Sequence, residues 1–156
     1  MEAKTITSTI LVAKMGELPA DDVQLIESAI SQTEKSYSPY SKFNVGAAVR
    51  LENGEIVVGC NQENAAFGVS MCAERSALFA AGAQCPEVAV TAIAIAARNN
   101  NVLLKEPISP CGVCRQAMVE TETRYCRKLR ILLYGTEKVY IVDGIAALLP
   151  LTFDKF

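Results

Sequence analysis

The sequence VAVTAIAIAA, residues 88–97, is the longest apolar stretch of the 156-residue chain, and only Thr91 interrupts it. A membrane-spanning helix needs about 20 apolar residues, so this stretch is too short to be one. A short apolar run of this kind is typical of a buried strand. We therefore expect residues 88–97 to form a buried strand of the fold.

The segments on either side of this strand alternate between helical and extended patterns. They predict a helix at 20–36, a β-hairpin at 43–60, and helices from Met71 to about Gly82 and from Pro110 to about Glu122. They also predict strands at 129–134 and 139–142 and a short helix at 144–149. Ser70 and Ser109 are the expected N-caps of the two middle helices. This alternation predicts an α/β sandwich with helices on both faces of one sheet. One domain, residues 1–156, is expected, with residues 1–20 as an extension of unknown role.

The charge balance favours a small-molecule partner. The formal net charge is -2, and no run of lysine and arginine resembles a nucleic-acid footprint, so neither DNA nor RNA is expected as a partner. No stretch is long and apolar enough for a membrane span. The first residues lack the basic region, long apolar core and cleavage site of a secretion signal, so we expect a cytoplasmic protein.

The residue types limit the chemistry. The chain has six cysteines and no histidine, which excludes Ser-His-Asp and Cys-His hydrolysis and every metal site that uses imidazole. Cysteines of a cytoplasmic protein stay reduced, so clustered cysteines indicate metal or redox chemistry. Cys60, Cys85 and Cys126 are interpreted as packed small hydrophobes.

Two short motifs bring three cysteines to predicted helix starts. Cys111 and Cys114 are three residues apart, so their sulfurs face one point beyond the first turn, and Cys72 begins another helix. Free N–H groups at a helix start stabilise the thiolate, which is the form that binds zinc. A lone Cys-x-x-Cys pair fits zinc binding, redox chemistry or core packing, and does not decide between them.

The sequence Cys72-Ala73-Glu74 favours zinc. Together with Pro110–Cys114 it forms the signature of zinc deaminases. Three protein ligands leave the fourth zinc position open to water, as in catalytic sites. Glu74 is predicted to move protons from water to N3 of a pyrimidine and later to the departing ammonia, provided that Cys72 sits at the entrance of its helix. Arg75 is predicted to hydrogen-bond a thiolate and to offset the negative charge of three sulfurs.

Four motifs resemble, in the same order, those of the small homotetrameric cytidine deaminases. They are Tyr40-Ser41-Lys42-Phe43 with Gly46-Ala47-Ala48, the segment from Gly59 to Ala66, the segment from Cys72 to Arg75, and the segment from Ser109 to Gln116. The resemblance implies a three-layer α-β-α sandwich with a mixed five-stranded sheet, one Zn²⁺ per subunit and a homotetramer. It also implies hydrolytic deamination of cytidine and deoxycytidine to uridine and deoxyuridine, in pyrimidine salvage.

The resemblance also assigns contacts to the substrate. Phe43 is expected to pack on the pyrimidine, and Asn61 and Glu63 to hydrogen-bond the sugar hydroxyls. Phe153 is expected to reach the site of a neighbouring subunit. A carboxylate beside the sugar repels phosphate, so Glu63 favours a free nucleoside over a nucleotide.

Two residues depart from the family pattern. Asn44 and Phe67 stand where relatives commonly carry proline and tyrosine, which affects substrate preference more than reaction type.

Three alternative functions stay open at this point. One alternative is a deaminase of a related nucleoside such as blasticidin S. Another is a non-catalytic, zinc-stabilised binding module whose metal is closed by a fourth cysteine such as Cys60 or Cys85. The third is a dithiol oxidoreductase that uses the Cys-x-x-Cys pair.

Overall fold

The computed structural model describes residues 1–154 of the chain. Its strands are β1 (Leu11–Ala13), β2 (Phe43–Leu51), β3 (Ile56–Cys60), β4 (Val90–Asn99), β5 (Val102–Leu103), β6 (Arg130–Tyr134) and β7 (Val139–Asp143). Its α-helices are α1 (Ala20–Gln32), α2 (Ala73–Gln84) and α3 (Gly112–Tyr125). Short 3₁₀ helices occupy Met15–Glu17, Phe67–Val69 and Ile145–Ala147.

One mixed sheet organises the described residues. The strand order is β1-β7-β6-β4-β2-β3, with β5 paired to β4. The pairing of β4 with β6 is parallel, and the other pairings are antiparallel. The prediction of an α/β sandwich with a mixed sheet is confirmed, but the sheet has seven strands instead of five. The additional strands, β1 and β5, span three and two residues and extend the sheet only locally.

Helices cover both faces of this sheet and make three layers. The helix α1 packs on one face, while α2 and α3 pack on the other. The central strand β4 serves both sides because successive side chains point to opposite faces. Ile93 and Ile95 face α2 and α3, whereas Ala92, Ala94 and Ala96 face α1. All five side chains are buried, which confirms the buried strand expected from the apolar stretch.

The two middle helices begin later than the sequence predicts. Cys72 and Cys111 are the N-cap residues of α2 and α3, and both have extended backbone dihedrals, with ψ of 151° and 166°. Ser70 and Ser109 were the expected caps, and that prediction is wrong. The hydroxyl of Ser70 accepts a hydrogen bond from the backbone N–H of Asn64 at 3.0 Å, so it ties a loop instead of a helix start.

The remaining boundaries differ by a few residues. The helix α1 ends at Gln32 instead of residue 36, and α3 extends to Tyr125, where Cys126 adopts a left-handed conformation with φ of 49°. The last predicted helix is a single 3₁₀ turn, Ile145–Ala147. The predicted hairpin is present, and Gly54 has a φ of 90° in its turn, which suits glycine.

Close contact between α2 and β3 places the start of α2. A Cβ atom built on Gly59 would lie 2.5 Å from the backbone nitrogen of Ala77 and 2.8 Å from the backbone oxygen of Ala73. We expect Gly59→Ala to push α2 away from the sheet and to destabilise the protein by about 1–3 kcal/mol, as overpacking does. Urea unfolding measures the loss. Gly16→Ala is the matched control, because no heavy atom lies within 4 Å of its added Cβ. Equal stability of the two variants would contradict the prediction.

Candidate active site

The topology explains why two helix starts meet. Both β3 and β4 are antiparallel to β2, so they run in the same direction, and β6 is parallel to β4. The helix α2 follows β3, and α3 follows β4 and the two-residue β5; both helices cover the same face. Their N-termini therefore lie beyond the carboxyl ends of parallel strands, which is where open α/β sheets bind ligands.

Three cysteine sulfurs meet at these helix starts. The Sγ atoms of Cys72 and Cys111 are 4.0 Å apart, and those of Cys111 and Cys114 are 3.5 Å apart. All three lie within 4.8 Å of one another. A tetrahedral zinc with Zn–S bonds of about 2.3 Å places its sulfurs about 3.8 Å apart. The donor set therefore fits zinc in both chemistry and spacing, as predicted.

The helix starts prepare these sulfurs for a metal. Cys72 and Cys111 occupy N-cap positions, and Cys114 lies in the first turn of α3, where it is buried. The first N–H groups of a helix have no intrahelical acceptor and carry the positive end of the helix dipole. Thiolates at both helix starts are thereby stabilised.

The protonation of the cluster without metal agrees with this arrangement. A hydrogen bond from Cys114, supported by others from Arg75 and Cys111, lowers the pKa of Cys72 to about 5. The same hydrogen bond to Cys72, together with burial and the nearby Glu74 carboxylate, raises the pKa of Cys114. Within the cluster the thiolate form is therefore favoured at Cys72, and zinc displaces protons from its cysteine ligands when it binds.

Arg75 lies against the cluster as predicted. Its Nη2 donates to Sγ of Cys72 at 3.7 Å, and this contact raises the pKa of the guanidinium. Its Nε is buried and has no hydrogen-bond partner within the described part of the chain. A fixed positive charge beside three thiolates offsets part of their negative charge. The structure therefore supplies the compensating cation that a three-sulfur site needs.

Glu74 is buried next to the sulfurs, with only 4% of its surface exposed. Burial, followed by the charge of Cys72, raises the pKa of its carboxyl group. Because Cys72 is the N-cap, it lies outside the regular helix, and Cys72 and Glu74 line the same cavity. The condition inferred from the sequence, that Cys72 sits at the entrance of its helix, is therefore met. A buried carboxyl group with a raised pKa is suited to accept and return a proton.

The cavity beside the cluster has a volume of about 290 Å³. It is lined by Val45, Asn61, Gln62, Glu63, Ser70, Met71, Cys72, Ala73, Glu74, Ile108, Ser109 and Cys111. Of the predicted substrate-binding residues, Asn61 and Glu63 line it and Phe43 does not. The sequence did not predict that Ile108 or Ser109 lines the cavity, because a loop carries no periodic signal that shows which side faces a cavity.

The side chain of Asn61 is largely occupied by protein contacts. Its Oδ1 accepts from the N–H of Val45 at 2.7 Å and from the hydroxyl of Ser36. Its Nδ2 donates to the carbonyl of Phe43 at 2.9 Å. An amide nitrogen carries two hydrogens, so one donor remains for a ligand. Asn61 therefore both braces the start of β2 and faces the cavity.

Glu63 anchors the loop before β2. Its carboxylate accepts from the backbone N–H of Tyr40 at 2.9 Å and from both the N–H and the hydroxyl of Ser41. The Ser41 hydroxyl is the main reason why the pKa of Glu63 is lowered. The lowered pKa favours the ionised form of this half-buried carboxylate, which is held at the edge of the cavity.

The other predicted residues lie around the site or farther away. Phe43 is the first residue of β2 and is half-buried. Phe153 lines a separate cavity of about 500 Å³ with Phe79, and its carbonyl accepts from Nε2 of Gln116 at 2.7 Å. Asn44 accepts from the Ser38 hydroxyl and donates to the carbonyl of Thr33, so it ties α1 to the next loop.

No fourth cysteine joins the cluster within residues 1–154. Sγ of Cys60 contacts the Lys35 carbonyl and the amide of Gln62, and Sγ of Cys85 contacts Glu55. A tetrahedral zinc held by these three sulfurs would have its fourth position open to a non-protein ligand. None of the helices in residues 1–154 has the length and apolar character that crossing a membrane requires.

An α-β-α sandwich with a cluster of three cysteine sulfurs, and with a buried glutamate in the cavity beside it, has the features of a zinc deaminase. Residues 19–129 match the family described as the cytidine and deoxycytidylate deaminase zinc-binding region, and the chain belongs to that family. The fold, the zinc site and the family thus agree.

Several relatives of known structure or curated identity resemble the chain. A cytidine deaminase of Halalkalibacterium halodurans is 45% identical over 100 residues, which are 64% of this chain and 71% of that protein. A cytidine deaminase of Sporosarcina psychrophila is 36% identical over 143 residues, 86% and 93% of the two chains. The crystal structure of cytidine deaminase from Burkholderia pseudomallei has a TM-score of 0.70 and 39% identity, and the match covers 83% of this chain and 97% of that one.

Proposed function

We propose that this chain catalyses the zinc-dependent hydrolytic deamination of cytidine and deoxycytidine to uridine and deoxyuridine, a reaction of pyrimidine salvage. The observation that carries the proposal is the cluster of three sulfurs, two of which line one cavity together with the buried Glu74. The relatives whose names are cytidine deaminase support the choice of substrate. A spectrophotometric scan of nucleosides, free bases and nucleotides, with blasticidin S included, tests the reaction and substrate class together.

Zinc, when bound by the three cysteines, supplies Lewis-acid chemistry that lowers the pKa of a water at its open position. Glu74 accepts a proton from the attacking water and delivers it to N3 of the pyrimidine. The water oxygen forms a bond to C4. Glu74 then takes the remaining proton of that new hydroxyl group and passes it to the amino group, so that the C4–N bond breaks, ammonia leaves and the C4 carbonyl of uridine forms. The raised pKa of Glu74 lets one carboxyl group serve as both base and acid.

The surrounding groups set the charge of the centre. Three thiolates and a divalent zinc carry a formal charge of about -1, which opposes ionisation of a water. Arg75 and the N-termini of α2 and α3 supply positive charge at the sulfurs. They make it easier for Glu74 to take a proton from the water.

The nucleoside is held by its sugar in this proposal. Asn61 and Glu63 line the cavity, which supports their proposed role in binding the sugar hydroxyls. Phe43 is proposed to pack on the pyrimidine once substrate is present. The ionised Glu63 disfavours a phosphate at the sugar, because two negative charges repel each other in a partly dehydrated site.

We expect Glu63→Gln to lower kcat/KM for cytidine by about 10-fold to 100-fold, mainly through a higher KM. A hydrogen bond to a charged group contributes about 1.5–3 kcal/mol, and glutamine lacks the charge. Discrimination against cytidine 5′-monophosphate should also weaken. Steady-state kinetics with both substrates measure the change, and the exposed Glu87→Gln is the control. An unchanged KM at full zinc content would remove Glu63 from the substrate site.

A cytoplasmic homotetramer is the proposed working form. Large apolar side chains are exposed near the cavity edge and on the outer face of α2 and α3, including Tyr40, Phe67 and Phe153. Tyr40 and Phe67 meet edge to face, with ring centroids 6.3 Å apart. Exposed apolar groups of this size mark protein interfaces. Light scattering of the protein as it elutes from a size-exclusion column measures the mass of the assembly. A monomeric mass would contradict the proposed homotetramer.

A further inference from the structure

Arg115 uses its three guanidinium nitrogens to contact two separate parts of the chain. Its Nε donates to the carbonyl of Pro110 at 2.8 Å, and its Nη2 donates to the hydroxyl of Ser109 at 2.9 Å. Its Nη1 donates to the carbonyl of Leu148 at 2.6 Å. Two of these acceptors belong to the residues directly before Cys111.

The residues before Cys111 need such support. Cys111 is exposed, so core packing does not fix its sulfur, whereas Cys114 is buried in α3. The backbone of Cys111 is extended, with φ of -67° and ψ of 166°, and is not part of the regular helix. The position of its sulfur therefore depends on how residues 109–110 are held against α3. Arginine is suited to this task because its planar fork presents donors in fixed directions.

The third contact connects the turn to a rigid part of the fold. Leu148 follows the 3₁₀ turn Ile145–Ala147, whose first residue, Ile145, is buried. The carboxylate of Glu122 accepts from the N–H of Ile145 at 2.8 Å and from the N–H of Leu129 at 2.8 Å. The carbonyl that Arg115 binds thus belongs to a segment already fixed to α3 and to the start of β6.

We propose that Arg115 is a positioning residue for the metal centre. It holds the Ser109–Pro110 turn, and with it the Cys111 sulfur, at the distance from Cys114 that one zinc ion requires. The inference rests on the proposed zinc site. Arg75 acts on a sulfur directly, whereas Arg115 acts through the backbone and hydroxyl of the turn, so the two arginines have separate functions.

The test measures zinc retention independently of turnover. Release of zinc from the loaded protein to a chromogenic chelator gives a dissociation rate, and competition with the same chelator gives the affinity. Loss of an outer partner of a metal ligand typically weakens affinity by about 10-fold to 100-fold, and we expect this for Arg115→Met. Arg124→Met is the matched control, because Arg124 lies on the same helix and donates to a carbonyl, that of Pro86, at the end of α3 away from the cluster.

Two more variants separate geometry from charge and from folding. Arg115→Lys keeps the charge but not the fork, so it should release zinc almost as fast as Arg115→Met. Ser109→Ala removes one acceptor with little change in volume, so it should give a smaller increase in release rate even if Arg115→Met folds poorly. Urea unfolding of the zinc-free proteins shows whether an effect is specific to the metal-bound form.

The outcomes are distinct. Zinc release within twofold of wild type for Arg115→Met, an equal effect of Arg124→Met, or full recovery by Arg115→Lys would each overturn the positioning role. A wild-type protein that binds no zinc would overturn the proposed function and this inference together. A wild-type protein that binds zinc and deaminates cytidine while Arg115→Met retains its metal would overturn the inference alone.

Discussion

Replacing Glu74 by glutamine should leave zinc bound and lower kcat for cytidine by about 10²–10⁴, the range that positioned proton transfer contributes. Glutamine has nearly the same shape and fits the buried position, where only 4% of the side chain is exposed. It cannot accept the proton from water or return one to ammonia. Steady-state kinetics on protein of measured zinc content give the result, with KM changed much less than kcat.

The control for this variant is Glu120→Gln, an exposed position on α3 that should keep wild-type turnover. Circular dichroism and zinc analysis exclude misfolding as the cause. Turnover at the wild-type rate by Glu74→Gln with a full complement of zinc would show that another group moves the protons. The mechanism proposed above would then be wrong, although the family assignment would stand.

Local patterns account for what could be predicted from the sequence. The strand at residues 88–97 could be predicted because a short run of apolar residues is typically buried in a sheet. The hairpin could be predicted because Asn53-Gly54 suits a tight turn. The metal ligands are visible because zinc requires particular donor atoms at short spacings. Each of these signals lies within a few residues of chain.

Features that depend on tertiary contacts could not be predicted in this way. The strands β1 and β5 contain three and two residues, so they exist only because β7 and β4 offer unpaired backbone groups. The helix starts were predicted too early because serine is a good N-cap in general. In the folded protein Ser70 instead accepts a hydrogen bond from the backbone N–H of Asn64. The support of the metal loop by Arg115 also joins residues that are distant in sequence.

The proximity of Cys72 to the Cys111 and Cys114 pair could be predicted only in part from the sequence. The donor types predict a common metal, but 39 residues separate Cys72 from Cys111. Two consecutive crossovers on one face of the sheet bring their helix starts to the same strand ends. A motif therefore predicts which atoms bind, and the parallel arrangement of β3, β4 and β6 explains how they can.

Replacing Cys114 by serine should abolish zinc retention and, with it, deamination. Apparent zinc binding free energies of about 10–16 kcal/mol, shared among three or four ligands, amount to about 3–5 kcal/mol for each ligand, so affinity should fall by about 10²–10⁴. Serine nearly fills the volume of the buried thiol, so the zinc-free fold should survive. Zinc analysis after dialysis against a weak chelator measures the loss. Cys126→Ser, at an exposed cysteine outside the cluster, is the control, and stoichiometric zinc in Cys114→Ser would contradict the three-sulfur site.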